Sequence, residues 1–536
     1  MKIDSLLQAV AAAGALALYM GSAAGAATLQ MYNAGDPRTL DPQKASHDWE
    51  DRPISDYLEG LMTLDAGGRP VLGQAASYDV SEDALVYTFT LRDDAVWSDG
   101  TRVTAKDFVL GMQRLEDPAI AAENAHLMYS VKNAKGINSG ELVDLSDWAE
   151  APAILVERPL SDLGVKALDD KTVEITLDAP TPYLLAALAH YSSYPVPSHV
   201  VEAKGEAWSE IGNLVANGPF IPVEWMPGSL IRSVKNEAYY DADNVKLDEV
   251  VYHLPDDDGA ALSRYRAGEL DMLSSFPADQ YQQLQDQNPG EAHVAPLLGV
   301  YYYAMNQTDP ALADINVRKA LSISLNREAL GTGEPPAYGL VPPGTGNYEG
   351  EQYLPDWSGE PYDQRVEEAR QLMAGAGFTP DKPLHLQIRV PADENDGRVA
   401  RAVASMWEPI GVEAELVEAE EETHYRALQV ADFQIGRAGW LMDQDDAGEM
   451  LDRLKFGNYG RYSNSEYEGL LAKAAAELDP AARAGLLHRA EAIAMDEFGV
   501  LPIYYYASRW VVSPKVGGFE DNAVNRHLAR WLSKSE

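Results

Sequence analysis

An α/β fold built on a parallel sheet is predicted by three observations within one stretch of the chain. Apolar residues alternate at Leu384, Leu386, Ile388 and Val390, recur at helical spacing at Val399, Ala402, Val403 and Met406, and alternate again at Val412, Ala414 and Leu416. A second helix from about Glu422 to Val430 then leads into Phe433 and Ile435. The order β-α-β-α-β joins parallel neighbours through helices. In open sheets of this kind ligands occupy the crevice beyond the carboxyl ends of the strands, where the loop after Ile435 must lie. That loop carries Arg437, Trp440 and Asp443, a cation, an aromatic ring and an anion, which together suit a zwitterion. Asp443 is a candidate ligand anchor.

At 536 residues the chain is too long for one compact core and has room for two or three domains. Its first residues stand apart. Lys2 precedes an apolar run from Leu6 to about Met20, and Ala24-Gly25-Ala26 supplies small residues for a cleavage site, so residues 1–26 read as an export signal peptide. Cysteine is absent, which excludes disulfides, thiolate metal sites, a cysteine nucleophile and lipid attachment to an N-terminal cysteine. An exported, unlipidated protein fits a periplasm. With 84 acidic against 42 basic residues and a net charge of −42, nucleic acid is excluded as a partner. The acids are spread along the whole chain, so they read as a solvated, salt-screened coat rather than a field for cationic ligands.

Earlier elements follow the same rules. Leu85, Tyr87, Phe89 and Leu91 alternate with Val86, Thr88 and Thr90 as a half-buried strand. Thr104 and Asp107 have capping-box spacing, followed by Phe108, Val109, Met112 and Leu115 on one helix face. Residues 138–160, rich in Ser, Asp, Glu and Pro, read as an excursion, and 331–350, rich in Pro and Gly, as a second irregular region. No internal repeat breaks the mature chain from Ala27.

Signatures of catalysis are missing: there is no Gly-x-Ser-x-Gly elbow, no Ser-x-x-Lys pair, no phosphate loop and no His-Glu-x-x-His. No catalytic residue, cofactor or metal is expected. Asp443-x-Asp445 followed by Gly448 imitates the start of a calcium loop, but its fifth position is Ala447 and its twelfth is Leu454, where a bidentate glutamate belongs. Asp256-Asp257-Asp258-Gly259 reads as a solvated turn.

Several segments carry a family resemblance in order and spacing: Thr39-Leu40-Asp41-Pro42, Leu58-Glu59-Gly60-Leu61, Trp97-Ser98-Asp99-Gly100-Thr101, Asn217-Gly218-Pro219-Phe220, Arg264 to Asp271, Asn316 to Leu321, and Arg437-Ala438-Gly439-Trp440. From about Thr28 to its end the chain resembles the periplasmic oligopeptide-binding proteins of ABC transporters, extracellular solute-binding protein family 5. The resemblance implies a bilobal periplasmic-binding-protein-like fold, type II in its large three-domain variant, with a ligand cleft between lobes. It places domain I at 27–58, 198–298 and 507–536, domain II at 59–197 and domain III at 299–506, with hinge crossings near 298 and 507.

It also implies roles. Asp443 matches the aspartate that pairs with a peptide's N-terminus and Arg437 an arginine near its carboxylate. Gly439, Trp440 and Leu441 match the segment that meets the peptide backbone, Tyr506 a pocket tyrosine, and Ser46, His47 and Asp48 the other side of the ligand. Read from the residues alone, Arg437 equally suits a structural tie to a carboxylate, and Trp440 a place in the core. The chain departs from the pattern where a pocket histidine becomes Asp396, a pocket tryptophan Glu421, a second carboxylate-reading arginine Leu428 and a pocket tyrosine Asn124. A lysine-bearing loop is shortened near Gly331 to Glu334, and a cysteine pair is replaced by Gly299 and Leu441. Asp396 and Glu421 are thereby expected to favour peptides with a basic residue. The expected partners are a short peptide ligand and an inner-membrane ABC permease, with the carrier a monomer. The same fold with another solute (a murein peptide, another amino-bearing solute, an oligosaccharide or a chelated metal), a sensory receptor and an exported hydrolase are the rival readings.

Overall fold

The computed structural model describes residues 26–143, 154–156, 158–254, 257–348, 350, 352–455 and 457–535. The expected signal peptide lies outside the described residues except for Ala26. Ten strands form one large sheet: β1 (Thr28–Tyr32), β2 (Phe220–Met226), β3 (Leu230–Lys235), β4 (Glu249–His253), β5 (Met272–Leu273), β6 (Ala292–Met305), β7 (Leu384–Pro391), β8 (Val412–Ala419), β9 (Ile435–Leu441) and β10 (Leu501–Val512). Their spatial order is β2-β3-β4-β1-β5-β10-β6-β9-β7-β8.

The predicted β-α-β-α-β unit is present. Leu384, Leu386, Ile388 and Val390 point into a core while His385 and Gln387 are exposed, so period-two alternation sets the face of β7. β7 pairs in parallel with β8 along eight residue pairs, from Leu384↔Val412 to Pro391↔Ala419, and with β9 at Ile388↔Ile435 and Arg389↔Gly436. The crossovers are helices Glu394–Trp407 and Glu421–Gln429. Asp393 caps the first of these by accepting from Asn395 N and Asp396 N.

β6 and β10 run antiparallel through the whole molecule. One end pairs Ala292–Pro296 with Ala507–Val511, the other Val300–Tyr303 with Leu501–Tyr505, and the register breaks between Pro296 and Val300. Beyond the break on one side lies a core that includes Leu29, Ile54, Trp208, Ile231 and Trp510. On the other side two cores flank the sheet, one holding Tyr301, Tyr303, Ile388 and Val403, the other Val300, Tyr302, Ala438 and Met450. The molecule is therefore bilobal, and these two strands pass between the lobes.

The first lobe also carries a four-stranded antiparallel sheet of Ala75–Val80, Val86–Leu91, Thr172–Thr176 and Val165–Ala167. Beside it the helix Ala105–Glu116 starts from a complete capping box, with Thr104 N donating to Asp107 Oδ2 at 2.8 Å. Within 138–160, strand Glu141–Val143 pairs with Ile154–Val156, and 144–153 lie outside the described residues. The described part of 331–350 forms no helix or strand; its backbone is satisfied in part by the buried Glu491 carboxylate, which accepts from Leu340 N and Val341 N.

The solvated turn expected at Asp256–Gly259 needs correction. Asp257 caps helix Asp258–Arg266 through Ala260 N, and Asp258 accepts from the Tyr32 and Ser275 hydroxyls at 2.9 and 2.8 Å; Asp256 lies outside the described residues. Among the described residues no helix is long and apolar enough to cross a membrane.

Candidate ligand site between the lobes

β9 pairs with β6 along its full length, from Ile435↔Met305 to Leu441↔Gly299. On its other side β7 reaches only Ile435 and Gly436. Pro391, which has no N–H, and the Asp393 cap then turn the chain away into its helix. From Arg437 to Leu441, β9 thus presents one edge without a neighbouring strand among the described residues. Such an edge can bond an extended chain through backbone groups alone, whatever its side chains.

Gly439 is fixed by what lies over it. A Cβ there would stand 2.2 Å from Tyr506 Oη, so glycine lets the tyrosine rest on the strand. Of the run Tyr504-Tyr505-Tyr506 the first two are buried, while Tyr506 is partly exposed. Gly299 faces Leu441 across the ladder, and a Cβ on it would meet Leu441 Cδ2 at 2.5 Å.

Arg437 is committed to neighbours. Its Nε donates to Asp396 Oδ1 at 3.1 Å, Nη1 to Tyr425 Oη at 2.7 Å and Nη2 to Tyr506 Oη at 3.2 Å, and its guanidinium lies over the Tyr301 ring. The structural tie is the arrangement this geometry contains. Asp396, buried at the start of its helix, is neutralised by that arginine rather than left free for a basic ligand. Glu421 is exposed in the first turn of its helix, and Leu428 is fully buried.

Asp443 lies elsewhere in the cleft. A cavity of about 320 Å³ is lined from one lobe by Asp48, Asn124, His126 and Arg526, and from the other by Leu441 and Asp443. The Asp443 carboxylate stands 3.6 Å from His126 Nε2, and both side chains are roughly half exposed. Gln444 Nε2 adds a second link between lobes by donating to Leu127 O at 3.3 Å. The loop is held by Glu449, whose carboxylate accepts from Trp440 Nε1 at 2.8 Å, Asp443 N at 3.1 Å and Gln444 N at 2.7 Å. Glu449 thereby satisfies the loop backbone and leaves the Asp443 side chain to the cavity. Asp445 accepts from Gly346 N, and Asp446 pairs with Arg483 and caps helix Ala447–Asp452, so both are spent on structure.

Ser46, His47 and Asp48 open helix Asp48–Tyr57. Glu50 accepts from Ser46 N and His47 N, His47 stacks on Trp49, and exposed Asp48 reaches the cavity wall. Sequence patterns miss His126, Tyr425 and Glu449. Only Glu449 had a signal, its three-residue spacing from the cap Asp446.

The Asp443 carboxylate, acting against partial burial, holds the His126 imidazolium above the usual histidine range; Glu449 and the Glu123 carbonyl add to it. Charge on His126 therefore favours the folded protein at pH below the ordinary histidine pKa, and this contribution is lost as pH rises through the raised value. A ligand ammonium brought to Asp443 would compete with His126 for it. While the ligand amine stays protonated, affinity for amino-bearing ligands is accordingly expected to rise as His126 loses its proton above the ordinary histidine range, and His126→Ala to flatten that rise. Buried Glu116, held neutral to about 8 by desolvation, and His190, held neutral by burial, are the other titratable groups that sense His126. Calorimetric titrations across this range check the slope.

Residues 69–461 match the model of the bacterial extracellular solute-binding proteins, family 5. The chain belongs to this family. Among relatives of this family 5 protein, the periplasmic oligopeptide-binding protein OppA of Escherichia coli K12 is 34% identical over 517 residues, covering 94% of this chain and 92% of OppA. Among solved structures, the unliganded open form of the periplasmic murein tripeptide binding protein MppA superposes with a TM-score of 0.86 at 32% identity, covering 95% of this chain and 98% of that one. A second structure, that of Escherichia coli MppA, gives 0.68 at the same 32% identity, covering 95% and 99%.

Proposed function

We propose that this chain captures short peptides in the cleft between its lobes and hands them to an inner-membrane ABC permease, without chemistry of its own. The observation that carries the reading is the free edge of β9 leading to an interlobe cavity with Asp443 in its wall. A peptide's constant features are its backbone and its termini. The edge suits the first and the carboxylate suits the ammonium. The names of the relatives, oligopeptide and murein tripeptide binders, support the same ligand class.

In this reading the segments 27–58, 198–298 and 507–536 act as domain I, 59–197 as domain II and 299–506 as domain III. The crossings of β6 and β10 serve as the hinge, and ligand favours closure by touching both sides. Ser46, His47 and Asp48 border the peptide opposite Gly439, Trp440 and Leu441, with Tyr506 beside the strand. The carrier is exported to the periplasm by residues 1–26 and works as a monomer. Native mass spectrometry of the protein as purified tests this: co-purified masses of short peptides are expected, whereas one constant sugar or metal mass contradicts the reading.

A further inference from the structure

We propose that Arg453 makes the cavity beside Trp440 a receptor for an acidic side chain at the second or third residue of a bound peptide, an inference that rests on the peptide-binding reading. The cavity holds about 640 Å³ and is walled by Tyr302, Tyr425, Tyr459, Trp440 and Arg453. It lies on one face of the sheet. Val300 and Tyr302 sit opposite Trp440 and Ala438 in the ladder on this face, whereas Tyr301 sits opposite Gly439 on the face of Tyr506. Successive side chains of a strand added to the β9 edge point to alternate faces, so every second one is aimed here.

The position along the ligand follows from the anchor. Trp440 is the last residue but one of β9 and precedes Asp443 by three, so a side chain seated beside Trp440 belongs to the second or third residue of a peptide anchored at Asp443. The chemistry follows from Arg453. Its guanidinium carbon stands 3.9 Å from the Trp440 ring centroid, and among the described residues it has no ion pair. Its acidic neighbour Asp452 is paired with Lys455 at 2.6 Å. The Tyr302 and Tyr459 hydroxyls both feel its charge. In a protein of net charge −42, an exposed arginine stacked on Trp440 in a tyrosine-walled cavity, where the lining carboxylate Asp452 is already engaged by Lys455, is a local attractor for a further acidic group.

The test compares Ala-Glu-Ala and Ala-Ala-Glu with their Gln counterparts, each with a free and an amidated C-terminus, on the wild type, Arg453→Gln and Arg453→Lys. At least one Glu peptide is expected to bind the wild type about tenfold more tightly than its Gln partner, amidated or not. Arg453→Gln should bring that ratio near one, with Arg453→Lys between. A Glu preference that survives Arg453→Gln overturns the inference, as does one that disappears on amidation, which would assign the terminal carboxylate instead. Binding of the Gln peptides without any Glu preference overturns it while leaving peptide capture in place, whereas failure of every tripeptide to bind overturns both.

Discussion

Asp396→Ala is expected to cost about 3–5 kcal/mol of the second lobe's stability, because it leaves the Arg437 guanidinium buried without its carboxylate. The side chains of the pair are only 17% and 7% exposed, so water cannot take the place of the lost partner. Two tyrosine hydroxyls remain on Arg437, but neutral acceptors do not balance its charge. Removing both charges with Asp396→Ala and Arg437→Met should recover much of the loss, since a pair of apolar groups has nothing to desolvate. Urea unfolding of the two single variants and the double variant checks this. Equal additive losses would place the arginine outside any ion pair.

Asp443→Ala is expected to leave folding intact and to weaken peptides with a free amine by about 2–4 kcal/mol, roughly 30- to 1000-fold. Its carboxylate carries little of the fold: the loop's amides are bound by Glu449, and the Asp443 side chain is about half exposed. Closing the lobes over a ligand ammonium removes water from both charges, and an ammonium enclosed without its partner bears the full desolvation penalty. Thermal unfolding of the variant should match the wild type while its affinity falls. A variant that fails to fold would instead make Asp443 a structural residue.

How much of this was legible in the sequence depends on range. Leu384 to Ile435 could be read because every strand and helix there buries one face, and periodicity records burial directly. The capping box at Thr104 was equally local. Pairings across the lobes leave no such trace: His126 meets Asp443 only because β6 and β10 bring distant segments together. Arg437 shows the other boundary. Alternation in the sequence ends the strand at Ile435 and puts Arg437 in a loop, whereas the strand runs on to Leu441 and holds Arg437 in its ladder opposite Tyr303; whether its donors face a ligand or a neighbour depends on Asp396 and Tyr425, which arrive from two different helices. Asp258 was misread for the same reason, since its partner Tyr32 lies on β1.

The claim that Asp443 receives a peptide's ammonium is tested most directly by a double-mutant cycle of affinities. Wild type and Asp443→Asn are each titrated with one short peptide and with its N-acetylated form. Peptide capture through Asp443 predicts that acetylation weakens binding to the wild type by at least about 2 kcal/mol but barely affects the variant, a coupling of the same size. Acetylation that weakens both proteins equally, or neither, would contradict it.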